Sequence, residues 1–545
     1  MTLPPIDPVL LASIKDGYRL LHRGHCRQAV LLADRLVAID NQNPHILVFS
    51  AEAHMACGNA TGSLSLIDQA TAVTANDPFL LLKKARLLAL GHQRQAFIDQ
   101  IELVLEHAPD NPMLLWQTAS LCHHNHLHQR AIDLFERASC LMKPSSDLLY
   151  ELAMARHFRG DARGAEKAIE RLLETAPHAG PALYLRATLK RQTPQDNHIY
   201  DLEQRLATLP AASSDLSGIL YALAKELEDC GDHARSFAAL KQATQTKRAS
   251  YHYDVRSETN ALAEIAGAYT QEQCASGAGY SEAGPIFIVG MPRSGTTLCE
   301  RLLAGTGQAI SAGELHIFGN ELIRDTVATA GYASQPNNAS ASLHIDFHAL
   351  GQRYVHAARQ IANNSRHFID KLPGNFMFCG MIAKALPDAR IIHVTRDALD
   401  NCYAIHKTQF FDGYGYACDL TELGDYFIAY HRLMDHWRMV IPGKILEVSY
   451  DDLVRDPAAQ SRRMYAWCGL NWNEAALSPP PPSATFSTAS AAQVRQPIHK
   501  NSLGISSNHP QQLSGLEARL SAAGIHRRSQ SHRPPQHTWT TANLE

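Results

Sequence analysis

The sequence has almost no net charge, no long apolar run and no paired-cysteine motif. Its 50 basic and 53 acidic side chains leave a net charge of −3, so no general electrostatic attraction draws it to nucleic acid, and any anion site must be local. No window approaches the ~18 apolar residues of a membrane span. The first residues contain an aspartate and three prolines instead of the basic and apolar regions of a signal peptide. We expect a cytoplasmic protein without a membrane span or a nucleic-acid partner.

The cysteine and histidine patterns indicate neither disulfides nor a metal site. Eleven cysteines are scattered without a CxxC spacing, and an odd number without an export signal predicts reduced thiols. Four histidines share a polar turn with no carboxylate or cysteine beside them, and we expect them to be solvated rather than metal ligands. They are His123, His124, His126 and His128.

The N-terminal half repeats itself every 34 residues. Three helix-starting segments open with Asn-Pro or Asp-Pro, a cap followed by proline at the first helical position. Small residues mark the first helix of each pair at Ala51, Ala85, Ala119, Ala153 and Ala187. Those of the partner helix are Ala29, Ser63, Ala96, Ala131 and Ala165, with a one-residue slip in the third. The pattern predicts helix pairs that bury their apolar faces by stacking.

This half of the chain resembles a tetratricopeptide array, with about five clear repeats and a degenerate sixth at Leu220–Ala243. Such arrays offer a concave surface, so the resemblance implies a protein or peptide partner, and a rigid spacer is the alternative. We place this all-α solenoid at residues 1–250. The period is lost afterwards, and residues 251–280 are expected to form a helical linker.

A strand, a glycine-bearing turn and a helix start follow one another from Pro285. The run Pro-Ile-Phe-Ile-Val is typical of a buried parallel strand, and Gly-Met-Pro-Arg-Ser-Gly-Thr-Thr follows it at residues 290–297. Backbone N–H groups and the helix dipole at such a turn attract an anion. The two glycines have P-loop spacing, but Thr296 replaces the P-loop lysine, which argues against an ATPase or kinase.

The segment from Pro285 to Leu298 resembles the 5′-phosphosulfate loop of sulfotransferases that use PAPS (3′-phosphoadenosine 5′-phosphosulfate). It is most similar to bacterial tetratricopeptide-repeat sulfotransferases and to protein-tyrosine sulfotransferases. The resemblance implies an α/β, P-loop-like sulfotransferase domain with a parallel sheet, placed at 281–525 before a disordered tail at 526–545. It also implies PAPS as co-substrate, no metal, and a catalytic as well as a binding role for the loop arginine. The loop residues expected to bind PAPS are Arg293, Ser294, Gly295, Thr296 and Thr297.

A second strand leads into Arg396, and the resemblance implies that this arginine binds the 3′-phosphate. The alternative is a surface ion pair with Asp397 or Asp400. The family places a helping serine eight residues later, where this chain has Ala404. Lys407, one helical turn further, could supply charge instead.

Two positions near the C-terminus extend the resemblance, and a third departs from it. Tyr450 matches a family tyrosine that contacts the cofactor, and Ser490 matches a catalytic-site serine near the leaving phosphate. After Gly504, relatives carry a basic residue and a tryptophan, where this chain has Ile505 and Ser506. We therefore expect one cofactor contact to be missing.

Sulfuryl transfer needs a base, a cation on the transferring group and donors on the leaving phosphate. Glu314 lies in a Gly-Glu segment that resembles the one holding the catalytic glutamate of tyrosine sulfotransferases, although their base is one residue later, at Leu315 here. His316 is the alternative base, and a helix-capping role is the alternative for Glu314. Lys371 matches the family lysine that contacts the sulfuryl group, with a salt bridge to Asp370 as the alternative.

The sequence thus predicts a two-domain enzyme that moves a sulfuryl group from PAPS to an acceptor hydroxyl. The resemblance implies a protein tyrosine as acceptor, while carbohydrate and lipid stay open, and the array would recruit the acceptor or a partner. The alternative is a scaffold protein that binds through its array and has a weakened catalytic site. The absent serine at Ala404 and the exchange at Ile505 and Ser506 motivate that alternative.

Overall fold

The computed structural model describes residues 6–210, 213–330, 339–411, 413–480, 486, 488 and 491–527. Within these residues, a helical array of seven helix pairs precedes an α/β domain. The helices of the array are α1 (Pro8–His22), α2 (Cys26–Ile39), α3 (Pro44–Ala56), α4 (Ala60–Val73), α5 (Pro78–Leu90), α6 (Arg94–His107), α7 (Pro112–His124), α8 (His128–Leu141), α9 (Ser146–Arg159), α10 (Ala162–Thr175), α11 (Gly180–Thr188), α12 (Ile199–Thr208), α13 (Leu216–Asp229) and α14 (His233–Ala249).

The helices of the array keep the predicted period. From α2 to α10, each even-numbered helix starts 34 residues after the start of the preceding even-numbered helix. The odd-numbered helices from α3 to α11 have the same spacing. The small residues predicted at fixed positions of the repeat allow the two helices of a pair to approach closely. The first series of small residues is confirmed as core, because Ala51, Ala85, Ala119, Ala153 and Ala187 are all 0% exposed.

The predicted one-residue slip in the third repeat is wrong. Helix α6 starts in register with its neighbours, so the equivalent of Ser63 and Ala131 is Phe97, which is 1% exposed. Ala96 is only partly buried. An aromatic ring fills the position that a small residue has elsewhere, and the alanine next to it produced the false slip.

The predicted helix starts are confirmed at three caps. The side chains of Asn43, Asp77 and Asn111 each accept a hydrogen bond from the backbone N–H two residues later, at 3.1, 3.0 and 3.1 Å. A proline stands at the first helical position after each of them. Its missing N–H costs nothing there, because that group has no partner within a helix.

The histidines between α7 and α8 are less solvated than predicted. His128 is 2% exposed, and the ring of His123 stacks on that of Phe158 with centroids 5.6 Å apart. Burial, followed by repulsion from neighbouring histidines, lowers the pKa of His123 to about 4 and that of His128 to about 3. Both rings are therefore neutral near pH 7 and act as packing groups, while His124 is exposed as predicted.

The α/β domain is built on a parallel sheet, as predicted. Its strands are β1 (Pro285–Gly290), β2 (Ile310–Gly313), β3 (Phe368–Asp370), β4 (Arg390–Thr395) and β5 (Ile445–Ser449). They pair in the order β2-β3-β1-β4-β5, and every pairing is parallel. All six residues of β1 are buried, which is the burial expected of the central strand of a sheet covered on both faces.

Helices surround this sheet and connect it to the array. Before the sheet come α15 (Val255–Ala268) and α16 (Gln271–Ala275). The helices that follow β1 are α17 (Thr296–Ala304), α18 (Ile317–Ala330), α19 (Ala339–Ser342), α20 (Phe347–Ile361), α21 (Cys379–Ala385), α22 (Ala398–His406), α23 (Leu420–Val440), α24 (Tyr450–Arg455), α25 (Pro457–Trp467), α26 (Ala491–Val494) and α27 (Ser514–Ala522). Short 3₁₀ helices lie at Pro373–Phe378, Gly415–Cys418, Glu474–Leu477 and Ile505–Asn508.

The array packs directly against the α/β domain. Arg248 at the end of α14 donates two hydrogen bonds to the carboxylate of Glu422 in α23, at 2.9 and 2.8 Å. The hydroxyl of Tyr251 donates to the carbonyl of Gly415 at 2.7 Å. These bonds fix the orientation of the last repeat relative to the sheet.

Three features are absent from the described residues. The eleven cysteines form no disulfide there. In the same residues, no helix combines the length and the apolar character needed to cross a bilayer. No group of three or more His, Cys, Asp or Glu side chains is arranged there to hold a metal ion.

The close crossing of α11 and α13 gives the first prediction. A Cβ on Gly218 would lie 2.6 Å from the carbonyl carbon of Gly180, so Gly218→Ala must push the two helices apart. We expect a loss of about 1–3 kcal/mol in the free energy of unfolding, as for overpacked cores, measured as a lower midpoint of thermal unfolding.

The matched control is Gly267→Ala in α15, where a Cβ would meet nothing within 4 Å. Alanine has the higher helix propensity, so this variant should gain up to about 1 kcal/mol. Equal midpoints for the two variants would contradict the close contact between α11 and α13.

Candidate functional site

The residues predicted to form the site follow the ends of the five strands. Parallel strands end at the same edge of a sheet, and α/β domains bind ligands at that edge. A common strand direction therefore brings together residues from five separate segments of the chain. β1 leads into the anion loop (residues 291–295), β2 into Glu314, β3 into Lys371, β4 into Arg396 and β5 into Tyr450.

The anion loop ends at Gly295, the N-cap residue of α17. Gly295 has a φ of 103°, a left-handed conformation that favours glycine, and a Cβ here would collide with the ring of Tyr450. Gly295 has no side chain to accept from the first N–H groups of α17. Those groups and the positive end of the helix dipole are therefore available to an anion.

Side chains of neighbouring segments donate hydrogen bonds to the backbone of the anion loop. Asn401 Nδ2 donates to the carbonyl of Pro292 at 2.8 Å, and Arg396 Nη1 donates to the carbonyl of Arg293 at 3.0 Å. The guanidinium of Arg396 also lies over the ring of Tyr450, 5.1 Å from its centre, in a cation–π contact. Arg396 therefore connects the loop to the end of β5.

The hydroxyls of the loop are buried beside the cavity. Ser294 is 1% exposed, and its Oγ has no hydrogen-bond partner among the described residues. Thr296 and Thr297 are buried as well and line the cavity. A buried polar atom without a partner costs free energy, so the Ser294 hydroxyl is suited to a ligand oxygen.

Glu314 and Lys371 form an ion pair at the carboxyl edge. Lys371 Nζ also lies 3.8 Å from Glu300 Oε2, so its partners are these two carboxylates rather than Asp370. The side chain of Lys371 is 3% exposed and that of Glu314 is 29% exposed. Glu314 lines the cavity, and Lys371 lies behind it on the protein side.

The charges around Lys371 keep it protonated. Burial alone would lower the pKa of Lys371, but the charges of Glu314 and Glu300 outweigh burial and raise that pKa above its usual value. Burial raises the pKa of Glu300, an effect that Lys371 opposes. A compact ammonium group therefore stands next to the cavity at neutral pH.

A buried network fixes the position of Lys371. Asp370 is 0% exposed and accepts hydrogen bonds from the Tyr354 hydroxyl at 2.8 Å, from Asn375 Nδ2 at 3.2 Å and from the Leu315 N–H at 3.3 Å. Burial raises the pKa of Asp370 to about 7, although these hydrogen bonds act in the opposite direction. The network holds the end of β3, on which Lys371 stands.

Lys407, considered above as a substitute for the serine that is absent at Ala404, already has a carboxylate partner. Ala404 lines the cavity and offers no hydroxyl. Lys407 Nζ lies 2.6 Å from Glu228 Oε2 of α13, and the Tyr403 hydroxyl donates to the other oxygen of Glu228 at 2.9 Å. A carboxylate of the array thus neutralises Lys407 at the cavity wall.

The segment after Gly504 is anchored by α22. Asp400 accepts from the backbone N–H of Ser506 at 2.9 Å and from its hydroxyl at 2.6 Å, so Asp400 serves this segment rather than Arg396. Ser506 is 1% exposed, and Ile505 lines the cavity. Where the resemblance expects a tryptophan, this chain uses serine to fix its own backbone.

The anion loop opens into a cavity of about 630 Å³, a size typical of small-molecule sites. Its α/β wall includes Glu314, Arg396 and Tyr450, and its other wall comes from α9, α11 and α13 of the array. The structure therefore brings the described candidate residues to one cavity, except that Lys371 lies just behind Glu314 and the buried Ser294 is not part of the lining. Ser490 lies outside the described residues.

The sequence predicts that His126 lies in a solvated turn, whereas the structure brings its half-buried ring to the carboxyl edge of the sheet. Its Cε1 lies 3.9 Å from the place that a Cβ on Gly313 would take. Burial and the charge of Arg94 lower the pKa of His126, while the charge of Glu314 raises it. No local pattern links these positions, because His126 lies in a repeat and Gly313 follows in the other domain.

Comparison with known proteins relates the α/β domain to sulfotransferases. Residues 285–474 match the model of the Sulfotransferase family. An uncharacterized protein of Aquifex aeolicus is 26% identical over 382 residues, which are 68% of this chain and 50% of that protein. Omega-hydroxy-beta-dihydromenaquinone-9 sulfotransferase Stf3 of Mycobacterium tuberculosis is 30% identical over 102 residues, 16% of this chain and 25% of that protein. The chain thus spans about half the length of the first relative and about a quarter of the second.

Solved structures resemble each half. The sulfotransferase domain of the olefin synthase from Synechococcus PCC 7002 is 20% identical, with a TM-score of 0.30, covering 46% of this chain and 96% of that one. The C-terminal part of a TPR repeat-containing protein from Cytophaga hutchinsonii is 14% identical, with a TM-score of 0.33, covering 43% of this chain and 95% of that one.

The buried carboxyl of Asp370 gives a pH-dependent prediction. Its pKa is raised on folding to about 7, so the folded state holds its proton more tightly than the unfolded state does. The stability that it contributes is complete below about pH 4 and is lost as the pH rises through about 7. Between pH 5 and pH 8 the loss should reach about 2–3 kcal/mol, at 1.36 kcal/mol per pKa unit.

Asp370→Asn is the reference, because an amide does not titrate in this range. The urea midpoint of the wild type, measured relative to that of Asp370→Asn, should fall between pH 5 and pH 8. A relative midpoint that stays constant or rises would mean that Asp370 is already ionised in the folded protein at pH 5.

Proposed function

We propose that this chain is a PAPS-dependent sulfotransferase that transfers a sulfuryl group to an acceptor hydroxyl, with a protein tyrosine as the acceptor. One observation carries the proposal: the anion loop and Glu314, with Lys371 behind it, face the same cavity. The family match over residues 285–474 supports sulfuryl transfer as the reaction class. The proposed reaction needs no metal ion, because loop amides, a lysine and arginines supply the positive charge that stabilises the transferring group.

The anion loop suits the 5′-phosphosulfate of the donor. N–H groups at the start of α17 and the hydroxyls of Ser294, Thr296 and Thr297 supply hydrogen-bond donors, and Arg293 supplies a cation. Arg396 suits the 3′-phosphate, because its buried Nε has no hydrogen-bond partner among the described residues. The ring of Tyr450 packs between these two sites.

The proposed step is an in-line displacement at sulfur. The acceptor oxygen forms a bond to sulfur while the bond from sulfur to the 5′-phosphate oxygen breaks, and the electron pair leaves on adenosine 3′,5′-bisphosphate. Glu314 accepts the proton of the attacking hydroxyl, and the ammonium of Lys371 stabilises the charge on the transferring group. A carboxylate is a weak base for a phenol of pKa ~10, so the proton moves as the new bond forms.

The array supports recruitment of a protein or peptide. A groove of about 2800 Å³ runs between the array and the helices α18 and α20. Phe79, Leu90 and Met113 line it with exposed fractions of 40, 57 and 43%, and exposed apolar groups of this kind mark interaction surfaces. The partial match to a dihydromenaquinone sulfotransferase makes a lipid hydroxyl the second candidate acceptor.

Binding of adenosine 3′,5′-bisphosphate is the first test. Calorimetry should detect binding to the wild type, and Arg293→Ala and Arg396→Ala should each weaken it at least about tenfold, because each removes a charge-assisted contact to a phosphate. Arg35→Ala, on the exposed face of α2, is the matched control and should bind as the wild type does.

Lys371→Ala separates an enzyme from a scaffold. In a sulfur-35 transfer assay from labelled PAPS with a tyrosine-containing peptide, this variant should keep nucleotide binding and lose about 10²- to 10³-fold in kcat. No nucleotide binding by the wild type would overturn the proposal and leave a scaffold protein. Binding without transfer to peptide or lipid acceptors would leave a nucleotide-binding protein.

A further inference from the structure

The cavity lining extends beyond the residues proposed to bind the donor, which are the anion loop, Arg396 and Tyr450. The rest of the lining comes largely from the array and from the segment that follows α22. It includes charged side chains such as Lys225 and Glu228, and also six aromatic or apolar side chains. They are Tyr150, Met154, Phe158, Tyr184, Phe410 and Tyr414.

We propose that the array forms one wall of the acceptor site, and that this wall selects acceptors whose hydroxyl stands on an aromatic ring. The proposal rests on the proposed function and adds to it a specificity-determining surface from α9 and α11. The array would then act on the acceptor within the catalytic cavity, in addition to recruiting a partner in the distant groove.

The two walls meet edge to face. The ring of Tyr150 in α9 lies 6.4 Å from that of Phe411, at an interplanar angle of 73°, and Phe411 is 50% exposed. The rings of Phe410 and Tyr414 are 4.7 Å apart and tilted by 58°. Aromatic rings favour edge-to-face contacts such as that of Tyr150 with Phe411, and the partly exposed ring of Phe411 offers a ligand ring the same contact.

The array also fixes the position of the opposite wall. The backbone N–H of Gln409 donates to the hydroxyl of Tyr184 in α11 at 3.1 Å. The carbonyl of Phe410 accepts a hydrogen bond from Lys247 of α14. These bonds hold the aromatic segment in place next to the array.

The aromatic part of the lining is continuous with the proposed base. Glu314 and Tyr414 line the same cavity, and burial together with the charge of Glu314 raises the pKa of Tyr414 to about 12. Tyr414 therefore stays a neutral phenol near this carboxylate. A ring held beside Tyr414 would carry its hydroxyl toward Glu314, which is where the proposed reaction removes the proton.

Acceptors with and without an aromatic ring test whether the cavity selects a hydroxyl that stands on a ring. The experiment compares 2-naphthol with 1-hexanol as acceptors for the 545-residue chain with PAPS, and it measures the KM for the acceptor and the KM for PAPS. The wild type should favour 2-naphthol. Tyr150→Ala and Phe411→Ala should each raise the KM for 2-naphthol about three- to tenfold, with the KM for PAPS unchanged within twofold.

The matched control is Tyr200→Ala in α12, a tyrosine of the array that is 74% exposed and remote from the cavity lining. It should leave both KM values unchanged. The proposal is overturned if Tyr150→Ala and Phe411→Ala leave the KM for 2-naphthol unchanged, or if they raise the KM for PAPS by the same factor.

A binding measurement keeps this inference separate from the proposed function. If the wild type transfers to neither alcohol, the fluorescence of 2-naphthol is titrated with protein saturated with adenosine 3′,5′-bisphosphate. Binding that Tyr150→Ala weakens would support the aromatic subsite even though the proposed reaction fails. No binding by the wild type would reject the subsite.

Discussion

The shared direction of five parallel strands is the constraint on which the site depends. Because every strand ends at the same edge, segments far apart in sequence deliver their next residue to one place. The pairing register then sets the details. Gly290 pairs with Val394 and Thr395 pairs with Ser449, so Arg396 emerges beside both the anion loop and Tyr450. Its bond to the loop carbonyl and its place over the tyrosine ring follow from that register.

Local patterns were sufficient to predict most of the fold and part of the site. Helix starts, small core residues and the strand-turn-helix unit depend on residues close in sequence, and the structure confirms them, apart from the false slip at Ala96. The ends of β1 and β4 could be read from apolar runs that lead into the anion loop and into Arg396, whereas β2, with the sequence Ile-Ser-Ala-Gly, offers no such run. Parallel topology alone then assembles Glu314, Lys371 and Arg396 at one edge, which is why separate motifs predicted a common cavity.

Contacts between the two domains could not be predicted in this way. The pairing of Lys407 with Glu228 and the approach of His126 to Gly313 join residues more than a hundred positions apart, and no spacing rule encodes such a pair. The histidine turn looked solvated because its sequence is polar, yet it packs on Phe158 and faces the other domain. The array contributes a cavity wall, a charge and a ring, none of which its repeat pattern distinguishes from ordinary helix surface.

The buried charges at the end of β3 explain how one lysine can serve both partners of the proposed reaction. Two carboxylates near Lys371 hold its ammonium in place without a ligand, and this pairing offsets the cost of burying the charge. In the proposed reaction, the sulfuryl group of the donor would become a third anionic partner of the same ammonium. Glu314 is the more exposed of the two carboxylates and lines the cavity. In that proposal Glu314 is therefore the carboxylate that an acceptor hydroxyl can reach, while Glu300 stays behind it next to Lys371.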